Sequence, residues 1–252
     1  MNSTRFLAIL SLAVGLALSV ALSGIADAIL FRPLPVARPA EIARVYSASP
    51  LRALGFVSYP DYQDFARGAR TVSGLVAQSQ VLLAFAGRTG QPPKVRMGLA
   101  VTANYFAVLG VPARVGRIFR EDEERDAVVI LSDSFWRRMS GGDRAILGRT
   151  IELAGAPFTV IGVAPPGFGL DRFLHEDFYI PIGVYRTGLL PASGRPLEER
   201  GRRYLAVYAR RAAPLPAVEA ELGSIATQLA AAYPATNRQQ KAVVMTDRKS
   251  VV

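Results

Sequence analysis

From Phe6 to Ala26 the chain carries 21 consecutive residues without a charge, rich in Leu, Ala, Val and Ile. As a helix rising about 1.5 Å per residue, such a run covers the roughly 30 Å hydrocarbon core of a bilayer. A cleaved signal peptide is the competing reading, because Arg5 supplies a basic start and Ala26-Asp27-Ala28 imitates a cleavage site. Signal h-regions, however, run about 7–15 residues, and here apolar character resumes with Ile29, Leu30 and Phe31 before Arg32. The pattern therefore predicts a retained transmembrane helix within residues 1–31. Ser11, Gly15, Ser19 and Ser23 recur every four residues, the spacing that lets two membrane helices bring their backbones together. They are the candidate helix-packing residues; the alternative is that an alanine-rich helix has small residues on every face.

Beyond the membrane segment the periodicity alternates between two and 3.6. Ala43 to Tyr46 predicts a strand, and Ser58-Tyr59-Pro60-Asp61 predicts a helix start, with a cap, an early proline and an acid, the helix running to about Arg67. Leu75 to Phe85 and Val95 to Val101 predict strands separated by Gly90-Gln91-Pro92-Pro93, followed by a short helix from about Asn104 to Leu109 that Gly110 stops. At the other end Tyr204 to Ala209 alternates as a strand. Val218, Leu222, Ile225 and Leu229 then mark a helix bounded by Pro214, Pro216 and Pro234, and Ala242 to Met245 a last strand. Two strand-helix-strand units predict an α+β fold: a split βαβ, ferredoxin-like, porter-type subdomain from residues 32–112 and 203–246.

Residues 113–202 read differently and predict an inserted β-rich subdomain. Val128 to Leu131 is a strand, Ser132 caps a helix carrying Trp136, and Gly141-Gly142 ends it. Arg149 to Leu153 and Phe158 to Val163 flank Ala154-Gly155-Ala156-Pro157 as a hairpin, and Asp177 to Ile182 adds a strand.

Composition narrows the chemistry. Half of the 252 residues are hydrophobic, enough for a real core. No cysteine is present, which removes disulfides, thiolate nucleophiles and Cys-based zinc sites. The formal charge of +10 would suit nucleic acid or an anionic surface. The only lysines are Lys94, Lys241 and Lys249, though, and the arginines are scattered in ones and twos, so no nucleic-acid partner is expected.

Several strings occur in a telling order: Ala28-Ile29-Leu30-Phe31-Arg32-Pro33-Leu34-Pro35, Ser58-Tyr59-Pro60-Asp61-Tyr62, then Val101-Thr102-Ala103-Asn104-Tyr105-Phe106 with Leu109-Gly110-Val111. Gly116-Arg117-Ile118-Phe119, Val129-Ile130-Leu131-Ser132-Asp133 with Phe135-Trp136, Leu147-Gly148-Arg149, and Phe158-Thr159-Val160-Ile161-Gly162-Val163 ending in Pro165-Pro166-Gly167-Phe168 follow. Together they resemble the MacB-like periplasmic core domain of FtsX-family ABC-transporter permeases. The resemblance implies one membrane helix, an extracytoplasmic domain and three more helices. It also implies an ABC ATPase as a separate subunit or fused domain, a second permease copy in a homo- or heterodimer, and in some assemblies a membrane-fusion protein. Nothing after Met245 resembles a second membrane helix, so the chain is expected to be a truncated N-terminal part. Residues 247–252 are what GATCGGAAGAGCGTCGTG encodes, a string resembling a widely used sequencing adapter, and are expected to be a non-native tail.

Candidate chemistry is sparse, and no catalytic, cofactor-binding or metal-ligating residue is assigned. Gly142 to Gly148 with Arg149-Thr150 is the nearest approach to a phosphate loop. It has five intervening residues where the template has four, arginine in place of lysine, and a helix on the wrong side. His175 is the single histidine, beside Asp171, Glu176 and Asp177 in a loop-like stretch. A hydrolase would have to join it to Ser132 or Ser134 without any G-x-S-x-G motif. Glu121, Asp122, Glu123, Glu124 and Asp126 form the one dense acidic cluster. It lacks EF-hand spacing and reads as a solvated loop or a first helical turn. The expectation is a non-enzymatic permease subunit in the bacterial inner membrane, its main domain in the periplasm or extracellular space, coupling ATP-driven helix motion to export or partner action. The alternative is a secreted or singly anchored periplasmic binding domain.

Overall fold

The computed structural model describes residues 12–20, 35–86, 92–170, 175–187, 190 and 197–246. Two units are distinguished, one comprising residues 1–34 with 251–252 and the other Pro35–Ser250. In the first, residues 12–20 are helical with Leu12, Leu16 and Val20 exposed. Among the described residues no helix is long and apolar enough to cross a membrane. The expected span, Phe6 to Ala26, reaches outside the described residues at both ends.

The second unit is a mixed α/β domain built on one large sheet. Strand β1 (Ile42–Ser49) turns into β2 (Arg52–Gly55) and β3 (Val57–Ser58), and α1 (Tyr59–Gly68) follows. The cap expected at Ser58 is present: its Oγ accepts the Asp61 N–H at 3.2 Å, which satisfies one of the orphan donors of the first turn. Next come β4 (Val72–Ala86), β5 (Lys94–Val101) and the short α2 (Tyr105–Leu109). The chain returns at its far end with β11 (Arg203–Arg211), α4 (Leu215–Ala232), α5 (Pro234–Asn237) and β12 (Lys241–Thr246). These strands lie in the order β12-β1-β11-β4, each neighbouring pair antiparallel. Helices α1 and α4 share one face. Tyr62, Phe65, Val218, Leu222, Ala226 and Leu229 pack with Ala43, Val45, Leu75, Leu205 and Val207 in a continuous core.

The intervening segment supplies β6 (Val115–Gly116), β7 (Val128–Leu131), α3 (Asp133–Ser140), β8 (Thr150–Leu153), β9 (Ala156–Val163) and β10 (Phe178–Pro181). Ser132 caps α3 by accepting the Phe135 N–H, and Gly141, at φ 66°, ends it in the left-handed conformation that costs glycine little. The sheet passes into this segment through β10, which pairs with β5 in parallel from Phe178↔Gly98 to Pro181↔Val101 and with β7 on its other side. It continues through β9 to β6. A second seam joins β8 to the end of β4 at Phe85↔Leu153 and Ala86↔Glu152.

The hairpin between β8 and β9 is tighter than its sequence suggests. Leu153 pairs with Ala156, leaving a two-residue turn of Ala154 (φ 52°) and Gly155 (φ 80°). Positive φ at both positions matches the right-handed twist of the flanking strands, and Pro157 lies within β9 instead of in the turn.

A second core forms from α2 and its surroundings. Tyr105, Phe106, Phe168 and Tyr179 pack against one another in edge-to-face and tilted pairs with ring centroids 5.2–6.4 Å apart. Tyr105 donates to Gln78 Oε1 and Tyr179 to the Phe168 carbonyl. Burial raises the pKa of both phenols well above the usual value, so each stays protonated and serves as a donor.

Candidate functional site

The most informative feature is where the chain enters and leaves the sheet. β1 begins and β12 ends side by side, with Ala43 opposite Thr246 and Ala48 opposite Lys241. The segment leading into β1 is held by one arginine. Arg210, in β11 and only 5% exposed, donates from Nη2 to the Ala37 carbonyl (2.8 Å), from Nη1 to Glu41 (2.9 Å) and from Nε to the Val108 carbonyl at the end of α2. Arg211 donates to the Ala40 carbonyl, and the Ala37 N–H donates to the Leu109 carbonyl at 3.1 Å. A guanidinium suits this place because its planar fork can serve three acceptors from one buried position. The entering strap, β11 and α2 are thus tied together.

A polar knot closes the start of α1. Asp61 is 3% exposed and accepts from Arg200 (2.5 Å), Arg203 (3.4 Å) and Asn237 (2.9 Å). Arg200 also pairs with Asp64 at 2.7 Å and lies 3.8 Å from the centroid of the Tyr233 ring. Although partly buried, Arg200 has its pKa raised by its bonds to Asp61 and Asp64, whereas burial lowers that of Arg203. The knot joins α1, the residues before β11, and α5. Sequence reading placed Asp61 only as a first-turn acid. The arginines that neutralise it lie some 140 positions away in the chain.

A third junction is formed by the acidic cluster, which takes the turn of its two expected forms but is not simply solvated: in the 3-10 turn Glu121–Glu123 Asp122 is exposed and Glu123 buried, and Glu124 just after it is half-buried. Arg117 grips Glu123 with both terminal nitrogens (2.7 and 2.6 Å), and these hydrogen bonds hold that carboxyl below the usual range. Glu124 accepts from the Ala103 N–H (2.6 Å) and the Tyr59 hydroxyl (3.2 Å). A half-buried carboxylate needs such donors to offset lost hydration, and the Arg117 pair explains why five clustered acids do not simply repel.

Of the candidate packing residues, Gly15 and Ser19 lie in the described helical stretch, and Ser11 and Ser23 lie outside the described residues. Nothing stands within 4 Å of a Cβ built on Gly15. His175 is exposed. Ser132 is engaged in capping and lies 3.2 Å from Ser134. The glycine-bearing stretch 142–148 follows a helix and precedes β8, the reverse of the strand-loop-helix order that a phosphate loop requires. Among the described residues no group of three or more His, Cys, Asp or Glu could hold a metal ion.

Comparison with known proteins places this architecture. The model of the MacB-like periplasmic core domain matches residues 6–225. No curated protein matches the chain. Among solved structures, the periplasmic region of MacB from Actinobacillus actinomycetemcomitans superposes with a TM-score of 0.60 at 15% identity, covering 84% of this chain and 90% of that one. The extracellular domain of the noncanonic ABC-type transporter YknZ from Gram-positive bacteria gives 0.57 at 16% identity, covering 80% and 99%. At such identities the superpositions speak for the fold alone.

Proposed function

This chain belongs to the MacB-like periplasmic core domain family, and we propose that it is the extracytoplasmic domain, with its leading membrane helix, of an ABC-transporter permease subunit. In this reading the domain hydrolyses nothing. It works with an ABC ATPase and a second permease copy in the bacterial inner membrane, and relays movement of the membrane helices to a substrate or partner outside. A membrane-fusion protein is a further partner in this reading.

The observation that carries the proposal is the adjacency of Ala43 and Thr246 on neighbouring strands. Both connections toward the membrane leave from one edge of one sheet, and Arg210 fastens the entering strap to that sheet. Displacement that reaches residue 35 is therefore delivered to β1 and β11 together. From there it reaches the far strands through hydrogen-bonded ladders that are stiff compared with a loop.

The order β12-β1-β11-β4 with both helices on one face supports reading residues 32–112 and 203–246 as a ferredoxin-like, porter-type layer, with 113–202 as the inserted subdomain. The strand ladders between the two parts are short, four residue pairs between β5 and β10 and two between β4 and β8, and Phe106 also packs against Phe168 and Tyr179 across the same boundary. In this reading the two parts shift slightly against each other across that packed boundary, a shear motion.

The test is a cross-link over the second seam. The chain has no cysteine, so Ala86→Cys with Glu152→Cys introduces a single pair at strand positions directly opposite each other. In the full-length permease with its ATPase, oxidation should leave nucleotide binding intact and impair transport. Full transport with the disulfide verified would show that the two parts need not move against each other.

A further inference from the structure

Glu124 sits where three stretches distant in sequence converge. Its Oε2 accepts the Ala103 N–H at 2.6 Å, just ahead of α2, and its Oε1 accepts the Tyr59 hydroxyl at 3.2 Å, in the first turn of α1. Its backbone carbonyl lies so close to Gly183 that a Cβ there would stand 2.2 Å from the oxygen. That contact brings in the 3-10 turn Ile182–Arg186. The neighbouring acid Glu123 is occupied by Arg117 and Arg120, so Glu124 alone reaches across from the loop to the helices.

The groups that face it are few. From α1 come Tyr59 and Tyr62, from the 182–186 turn Arg186, and from its own loop Arg125. Arg186 stands over the Tyr59 ring at 5.1 Å and is itself paired with Glu198 at 2.7 Å. Its charge is therefore shared.

We infer that Glu124 is a proton-sensitive tie between the 117–126 loop and the starts of α1 and α2, firm when its carboxyl is protonated and strained when it is ionised. A protonated carboxyl keeps an acceptor for the Ala103 N–H and gains a hydroxyl for the Tyr59 oxygen. An ionised one keeps both donors but must hold a charge away from water. Burial is the largest influence and pushes the Glu124 carboxyl up, outweighing its two hydrogen bonds and the attraction of Arg186 and Arg125. Because the folded value lies above the unfolded one, the stability this group contributes is complete below the ordinary value of 4.5 and fades as pH rises through the raised folded value. Acidification thus tightens the junction and neutral pH loosens it. The junction itself stands on geometry and its direction of response on the burial of the carboxyl; its use by the cell rests on the proposed function, in which the domain faces a compartment whose pH follows the medium.

Carboxyl 13C NMR of the full chain in micelles, labelled at glutamate, tests this directly. One resonance should titrate above the ordinary glutamate range, vanish in Glu124→Gln, and move to higher pH in Tyr59→Phe, which removes a donor to the charged form. The Tm difference between Glu124→Gln and wild type should widen from near zero at pH 4.5 to a few degrees at pH 7.5. If Glu124→Gln does not fold, the upward move in Tyr59→Phe decides the matter. No glutamate titrating above the ordinary range, a pH-independent Tm offset, or an unmoved resonance in Tyr59→Phe would each overturn the inference.

Discussion

Replacing Arg210 with methionine keeps the aliphatic stem of the side chain and deletes every donor. Three acceptors lose their partner: the Ala37 carbonyl, the Val108 carbonyl and Glu41. Glu41 loses least, because it is a third exposed and retains Arg38 at 3.2 Å. The two carbonyls lose bonds to a charged donor, each worth about 1.5–3 kcal/mol. Part of that is returned because a guanidinium no longer has to be taken out of water, a cost of several kcal/mol in a buried ion pair. The net expectation is a loss of about 2–4 kcal/mol, which for a domain of this size lowers Tm by about 4–16 °C. Arg67→Met is the control: Arg67 pairs with Asp64 from a largely exposed position, and such surface pairs contribute about 0–1 kcal/mol. Thermal unfolding of the full chain gives the size of the effect, and hydrogen exchange gives its location. The Ala37 amide, bonded to the Leu109 carbonyl, should lose protection, while the β1–β11 ladder around Val45↔Val207 keeps its own. A Tm no lower than that of Arg67→Met, with Ala37 still protected, would refute the idea that one arginine holds the entering strap.

Two further expectations concern the space around glycines. Gly98 has no room for a side chain, since a Cβ there would lie 2.2–2.6 Å from the Phe178 ring; Gly98→Ala should cost about 1–3 kcal/mol by overpacking, read from the urea midpoint, with part recovered when Phe178→Leu is added. Unchanged stability would mean that β5 and β10 are not packed as described. On the helical stretch 12–20 the sign of the effect is partner-dependent: a Cβ built on Gly15 meets nothing within 4 Å among the described residues, so a loss of assembly caused by Gly15→Leu in the full-length complex is expected to come from another helix. That loss should exceed the effect of Leu16→Ile, and equal assembly of the two variants would reject the packing face formed by Ser11, Gly15, Ser19 and Ser23.

What the sequence determined by itself is local. Ser58 and Ser132 cap their helices because a side-chain oxygen need reach only three residues ahead. Gly141 stops α3, and Val218, Leu222 and Leu229 mark the buried face of α4, because each signal repeats within a turn or two of its own helix. The family was legible for a related reason: short strings keep their order even when no single one is specific, and the matching family model spans residues 6–225. Tertiary structure decided everything that pairs residues far apart in the chain. Nothing near Phe178 says that β10 will run parallel to β5 and antiparallel to β7, and nothing near Thr246 says that it will face Ala43. In Arg210 and Asp61 the sequence shows only a charge just past a predicted strand and an acid in a first turn. Their meaning comes from acceptors and donors that the fold carries in from more than a hundred positions away. The acidic run 121–126 was legible as a turn but not as a junction, for the same cause: only folding reveals that Arg117, Tyr59 and the Ala103 amide are positioned to draw two of its acids inward.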